Sequence, residues 1–342
     1  MAVTTTNRRQ FLGLTALGLT AAAGALTGCG TASGVNTRTI RYQGWAGQVI
    51  PSELAADLGY LGDVKLEWVG NTISGPQDIQ SAATGQVDYG GAFNGAVIKL
   101  AARKAPITSV IGYYGVDRDE ASGYYVLEDS PLRGPRDLLG AKVGMNTLGA
   151  HSEAMLDIYL ERNGLTPAER EQVEPTVVPP VNTEQALRQG QIEVAVLGGI
   201  LREKALERGG IRKLFSDYEL LGDFTAGTYV FRRDFLEANA DTVRTFVSGV
   251  AKAIEWSKST PHEEVVERFT RIVTDRRRNE DTDPLKYWRS YGVAGAGGVI
   301  KDEELRLWVD WLGQRGDIEP DAVTVRDAYT NEFNSYAKGT GA

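Results

Sequence analysis

Short apolar runs ending in glycine or small polar residues alternate with helical stretches along most of this chain, and that alternation constrains the fold more than any other feature. The spacing predicts strands over 39–43, 64–69, 86–90 and 107–114, separated by helices over 51–58, 76–84 and 96–103. Proline opens the first of these helices and Gly59 and Gly85 close the first two, as helix termini favour. A polar stretch at 117–122 reads as a crossing segment. The alternation then resumes with strands over 123–127, 141–145, 176–178 and 192–197, and helices over 150–164, over 183–189 and from about 200. A second crossing falls near 221–227, followed by a strand over 228–232 and mainly helical sequence. Strands that alternate with helices build a mostly parallel sheet covered on both faces, so the fold class is α/β.

The stretch from Ala141 to Gly164 shows the unit most clearly. A buried-strand run reaches Met145, and Asn146, Thr147, Leu148 and Gly149 make the turn. Met155, Ile158 and Tyr159 then recur at helical spacing until Asn163-Gly164 stops the helix. The helix starts beside Thr147, His151 and Ser152. Its first N–H groups are unpaired and partly positive, so they can hold an anionic or polar group without lysine or arginine. An ordinary strand–helix unit with a hydroxyl cap would read the same way.

There is an internal echo. Gly85-Gln86-Val87-Asp88 and Gly190-Gln191-Ile192-Glu193 each follow a helix and open a strand, and each strand is followed by small residues, Gly91-Ala92 and Gly198-Gly199. The echo suggests two lobes of similar build. Ligands in open α/β sheets sit beyond the carboxyl ends of the strands, where small residues let backbone N–H groups come close.

At 342 residues the chain can hold two domains. The apolar share of 42% and charged share of 24% are ordinary for a globular protein. A net charge of −8 gives no reason to expect nucleic acid as a partner.

The N-terminal stretch reads differently. Arg8-Arg9 precedes an apolar run from Phe11 to Leu26 that is too short and too weakly hydrophobic to favour a lasting membrane span. Arg8-Arg9 with Phe11-Leu12 resembles a twin-arginine export signal. Leu26-Thr27-Gly28-Cys29 resembles the lipobox of bacterial lipoproteins, in which the cysteine thiol is acylated and becomes the new N-terminus. Residues 1–29 therefore read as a lipoprotein signal and 30–37 as a tether, which predicts an exported protein lipid-anchored at Cys29 to the outer face of the cell membrane. Cys29 is the only cysteine, so the chain can form no internal disulfide, and no thiol cluster for a metal.

With these segments in view, the chain resembles the solute-binding lipoproteins of ABC importers, in the branch that binds aliphatic sulfonates, taurine, nitrate and thiamine precursors. The resemblance lies in the lipobox, in 85–91, and in 137–144 with its Gly149-Ala150-His151 loop. It continues in Gly227-Thr228-Tyr229-Val230-Phe231, Phe235-Leu236 and the helix through Val243, Phe246 and Ala253. It implies a two-lobed periplasmic binding protein-like fold of type II, with two crossover segments and a ligand cleft between lobes. Lobe 1 would comprise 38–120 plus 224–342, and lobe 2 would comprise 121–223. It further implies a small-molecule ligand, anionic and sulfonate- or nitrate-like, captured by lobe closure. The partners would be an ABC permease and its ATPase subunits, served by a monomer without cofactor. A thiamine-precursor heterocycle is the alternative ligand, and an extracytoplasmic sensor or enzyme the alternative role.

Carried over by position, the ligand would meet Gln43 and Trp45, Gly91, Phe93 and Asn94, Asn146, Thr147 and His151, Gly199, and Thr228. Asn94, Asn146 and Thr147 would be neutral hydrogen-bond partners, and His151 a neutral donor or a cation. Trp45, Phe93, Tyr113 and Tyr114 could wall the pocket or belong to the core. A sulfonate pocket of neutral donors is physically reasonable, whereas an amino-acid binder would want arginine beside an acid.

The chemistry of an enzyme is thinly supplied. There is no Gly-x-Ser-x-Gly elbow, and only His151 and His262 are available as histidines. His262-Glu263-Glu264-Val265-Val266 starts like a zinc-protease helix but has Val266 where the second histidine belongs. Asp281-Thr282-Asp283-Pro284 reads as a turn, and Arg276-Arg277-Arg278 as a solvated turn between helices. The expectation is a binding protein without a catalytic or metal site.

Overall fold

Strand β1 (Thr39–Gly44) lies parallel to β2 (Lys65–Asn71), with α1 (Pro51–Asp57) as the crossover. The computed structural model describes residues 37–319 and 321–337. The Arg8-Arg9 pair, the lipobox at Cys29 and most of the tether lie outside the described residues. Next come α2 (Gly75–Ala83), β3 (Tyr89–Phe93), α3 (Asn94–Ala102) and β4 (Ile107–Val116).

The third strand starts three residues later than the sequence pattern predicts, and the reason is Asp88. Its carboxylate accepts the Arg41 backbone N–H at 2.7 Å, and its own N–H donates to the Arg41 carbonyl at 3.0 Å. A side chain thus takes the place of a ladder carbonyl, so 86–88 form a turn that clips β1. The same device recurs at Glu193, whose carboxylate accepts the Lys142 N–H at 2.8 Å while its N–H donates to the Lys142 carbonyl at 3.0 Å. Gly85 and Gly190, at φ +76° and +68°, supply the left-handed residue each turn needs. The echo in the sequence is therefore one clip built twice.

After a crossing at 117–122 the chain builds β5 (Gly123–Leu127), β6 (Lys142–Met145), α4 (His151–Arg162), α5 (Pro167–Arg170) and β7 (Glu174–Val177). It continues through α6 (Pro180–Arg188), β8 (Val194–Leu197), α7 (Gly199–Arg208), β9 (Ile211–Ser216) and α8 (Asp217–Leu221). These strands form one five-stranded sheet in the order β7-β6-β8-β5-β9. Strands β6, β7 and β8 are parallel, whereas β5 runs antiparallel to both its neighbours. Strand β10 (Phe224–Arg232) then inserts between β3 and β4, antiparallel to both. The expectation of a mostly parallel sheet holds for the strand–helix–strand units and fails at β5 and β10, the strands that follow the two crossings. Helices α9 (Arg233–Ala238), α10 (Ala240–Ser259), α11 (His262–Asp275), α12 (Asp302–Gln314) and α13 (Val325–Ala328) complete the fold.

Two large apolar clusters, beside a smaller one around Leu187 and Ala205 of α6 and α7, organise the described residues. One gathers Tyr89, Tyr229, Phe231, Phe246 and Phe269 around α10 and α11. The other runs from α3 through Trp308 and Trp311 of α12 to Met155 and Leu156 of α4, so apolar packing continues across two sheet systems, one made of β1-β2 with β3-β10-β4 and the other of the five-stranded sheet. Arg276-Arg277-Arg278 is a correction to the sequence reading. The Arg276 and Arg278 side chains are only 8% and 10% exposed and both bind Glu53, at 2.9 and 3.0 Å. Tyr42 completes that network by donating to Glu53 at 2.6 Å. Among the described residues no helix is long and apolar enough to cross a membrane.

Candidate functional site

A cavity of about 390 Å³ opens between the two sheet systems, beside the first crossing segment. Trp45, Phe93, Tyr113 and Tyr114 wall one side, joined by Trp288, Ser290 and Tyr291 from the loop after α11. Asn146, Thr147, His151, Gly198, Gly199 and Asp217 form the other, and Glu120 and Ser122 of the crossing segment lie between.

Local sequence explains how these groups arrive. Trp45 sits in the turn that ends β1, closed by the Gln48 N–H on its carbonyl. Tyr113 stacks on buried Tyr229 with ring centroids 4.1 Å apart, which fixes the wall to β10. Asn146 and Thr147 follow β6, and His151 is the first residue of α4, whose N-cap Ala150 has no side-chain oxygen to occupy the orphan N–H groups. Helix α7 also begins without a capping side chain on its N-cap residue, Gly198, and its first N–H, that of Gly199, faces Glu120. A Cβ on Gly198 would come within 2.7 Å of Ser122 Oγ, and Gly199 has φ +51°, so glycine permits this close passage past the crossing segment.

Asp217 is the buried centre of the polar side. Its Oδ1 accepts N–H groups of Ser122 and Tyr218 at 2.9 and 2.8 Å, and its Oδ2 lies 2.9 Å from His151 Nε2. One carboxylate thus joins the crossing segment, α8 and α4. The His151 ring is also held between Phe93 and Phe224, and its Nδ1 is buried without a partner. Glu120 lies against the backbone N–H of Gly199. Burial pushes its carboxyl up to about 8 against the opposing pull of Arg202, with smaller repulsion from Asp217 and Asp117.

The structure brings Trp45, Phe93, Asn146, Thr147, His151 and Gly199 to one cavity. It does not bring Gln43, Gly91, Asn94 or Thr228 there. Gln43 is still within β1, beside its bulge. The Gly91 N–H donates to Asp78 at 2.7 Å, and Tyr113 fills the space a side chain there would need. Asn94 is fully buried and donates to the Thr225 carbonyl at 3.0 Å. Thr228 shares a 2.7 Å hydrogen bond with Ser109 across β10 and β4. The insertion of β10 beside β3 takes up Asn94 and Thr228 for structure.

Sequence reasoning missed Glu120, Ser122, Asp217, Trp288, Ser290 and Tyr291. The polar crossing at 117–122 was a signal for Glu120 and Ser122, since a crossing must pass the cleft. Trp288 and Tyr291 carry no periodic signal and arrive only through the tertiary fold. Among the described residues no lysine or arginine lines this cavity, and Glu120 and Asp217 are the carboxylic side chains that do. No group of three or more His, Cys, Asp or Glu among the described residues could hold a metal ion. What the arrangement offers chemically is hydrogen bonding, ring stacking and uncapped helix starts.

Residues 48–264, more than half of the chain, match the family model described as NMT1/THI5 like. A curated protein of Escherichia coli (strain K12), named for binding aliphatic sulfonates, is 28% identical over 188 residues. That match covers 54% of this chain and 54% of that protein, so the chain spans about half the length of the curated relative it matches. The alkanesulfonate-binding protein of Xanthomonas axonopodis pv. citri, solved with MOPS bound, superposes with a TM-score of 0.67 at 18% identity, over 86% of this chain and 99% of that one. The periplasmic nitrate-binding protein of Synechocystis PCC 6803 does so with a TM-score of 0.65 at 13% identity, over 86% and 87%. These likenesses show the two-lobed periplasmic binding protein fold, and with the matched family model they establish that the chain belongs to the NMT1/THI5-like family.

Proposed function

We propose that this protein is the extracytoplasmic solute-binding component of an ABC importer, capturing a small ligand by lobe closure and delivering it to a permease with its ATPase subunits. The observation that carries the reading is the cavity between two sheet systems joined by two short crossings, at 117–122 and 222–223, and lined from both sides. We assign 38–120 with 224–342 to one lobe and 121–223 to the other. Short crossings suit a rigid-body closure in which a few residues absorb the change. The names of the relatives support binding rather than turnover. We further assign a lipid anchor at Cys29, an outer-face location and a monomeric state on the sequence alone.

The relatives' names offer a sulfonate or nitrate as the first ligand class. Asn146, Thr147 and the uncapped start of α4 would meet its oxygens, since helix N-termini hold anions. One observation favours a second class, a nitrogen-bearing heterocycle or amine: among the described residues the lining has two carboxylic side chains, five tyrosine or tryptophan rings beside the polar groups, and neither lysine nor arginine.

Thermal unfolding against alkanesulfonates, taurine, nitrate, pyrimidines, amino acids and sugars tests the reading. A ligand at 100 times its dissociation constant stabilises the native state by about 2.7 kcal/mol. The expected result is a raised midpoint for one class, diminished in Thr147→Ala or His151→Ala. A flat response across the whole panel counts against solute capture.

A further inference from the structure

The cavity holds one carboxyl whose hydrogen-bond partner is the Gly199 backbone N–H rather than a side chain. Asp217 is fully engaged by two backbone N–H groups and the His151 ring. Asp117 is engaged by the N–H groups of Asp119 and Glu120 and by the Ser290 hydroxyl, all within 2.8 Å. Glu120 differs. It sits on the crossing segment, it lines the cavity, and no side chain among the described residues forms an ion pair with it. The cation that acts on it, Arg202, is already held by Glu203 and by the carbonyls of Ala121 and Asp119. Trp45, Trp288 and Tyr291 wall the same space.

We propose that Glu120 selects the solute by accepting a hydrogen bond from a protonated nitrogen (an ammonium, an amidinium or a protonated ring) whose charge the surrounding ring faces also favour. This rests on the solute-binding reading above and specifies its ligand class. A simple oxyanion would enter a cavity whose ionisable lining is Glu120, Asp217 and a histidine already paired with Asp217. A cationic nitrogen gains a charge-assisted hydrogen bond and a cation–π contact there.

The proposal has a proton consequence. The groups that face Glu120 are Asp117, Asp217 and Arg202, with the Gly199 N–H, and their sum with burial leaves its carboxyl protonated at neutral pH. A cation beside it favours the ionised form, so binding expels the carboxyl proton to solvent. Affinity for a cation therefore rises with pH, roughly tenfold per unit below about 8, and levels off above it.

The test is isothermal titration calorimetry on the full-length chain across this pH range. Cationic probes are 4-aminopyridine, benzylamine and benzamidine; anionic probes are methanesulfonate, benzenesulfonate and nitrate. The expected result is binding of a cationic probe with proton release, read as a dependence on the ionisation enthalpy of the buffer. Glu120→Gln then weakens binding at least tenfold and removes the pH slope, while Glu120→Asp keeps the slope. Thermal unfolding of both variants confirms that they fold. Binding of anionic probes alone, with affinity falling as pH rises, overturns the proposal and leaves the solute-binding reading standing. Cation binding that Glu120→Gln leaves intact overturns it too. Binding of no probe of either charge counts against both readings.

Discussion

Asp78 shows how a single buried carboxyl reports on the fold. It is 4% exposed, its Oδ2 accepts the Gly91 N–H, and its Oδ1 has no partner. Burial pushes the group up to about 7, against the smaller opposing effect of the Gly91 hydrogen bond. The unfolded chain loses this proton near the ordinary carboxylate range of about 4, while the folded chain keeps it to higher pH. Between those values the native state binds more protons, so stability falls as pH rises through about 4 to 7. Glu120 acts in the same direction, extending the window to about 8. Urea midpoints measured from pH 5 to 8 should therefore decline in the wild type, and the decline should be shallower in Asp78→Asn. An unchanged slope in the variant would show that Asp78 is ionised in the native state. Asp217 makes a second prediction. Asp217→Ala strands the Ser122 and Tyr218 N–H groups and removes the partner of His151, a cost of about 1–3 kcal/mol for each buried group left unpaired. Asp217→Asn keeps an acceptor and should cost less in the same urea titration.

At the scale of elements, two contacts hold the walls of the cavity. The first is a clasp between α4 and α12. Asp157 of α4 accepts from Trp311 Nε1 at 3.0 Å, Arg315 at 3.1 Å and Arg170 at 2.8 Å. Asp157→Ala leaves two arginines and an indole N–H facing the gap, and should destabilise by about 3 kcal/mol. A shift of less than about 0.5 kcal/mol would mean that the apolar packing of Trp308 and Trp311 alone joins these helices. The second contact is the passage of the loop after α11 across β4. The Gly115 N–H donates to the Tyr291 carbonyl at 2.8 Å. A Cβ on Gly115 would overlap the carbonyls of Gly292 and Phe224. Gly115→Ala should cost about 1–3 kcal/mol and weaken ligand binding by displacing Trp288 and Tyr291. The element pattern itself was largely readable in advance, because period and glycine stops are local properties. The clips at Asp88 and Glu193 were visible as an echo, though not their purpose. The insertion of β10 between β3 and β4 was not visible, since the pairing of Thr228 with Ala92 depends on residues far apart in the chain. For the same reason Arg276 and Arg278 read as solvated until Glu53, more than two hundred residues earlier, was placed beside them.

At the scale of the whole molecule, half of the candidate site follows from a strand-end rule and half does not. Trp45, Asn146, Thr147, His151 and Gly199 stand at the ends of strands or the starts of helices, where open α/β folds expose their ligand sites. Glu120, Trp288 and Tyr291 come from a crossing segment and a distant loop, and only closure of the chain around the cleft places them there. In the proposed importer role a small solute binds between the lobes and draws them together. Small-angle X-ray scattering on the same sample, with and without the probe that raises the unfolding midpoint, tests it most directly. Lobe closure should give a saturable contraction in radius of gyration at one ligand per chain. A bound probe that leaves the scattering unchanged would contradict capture by lobe closure.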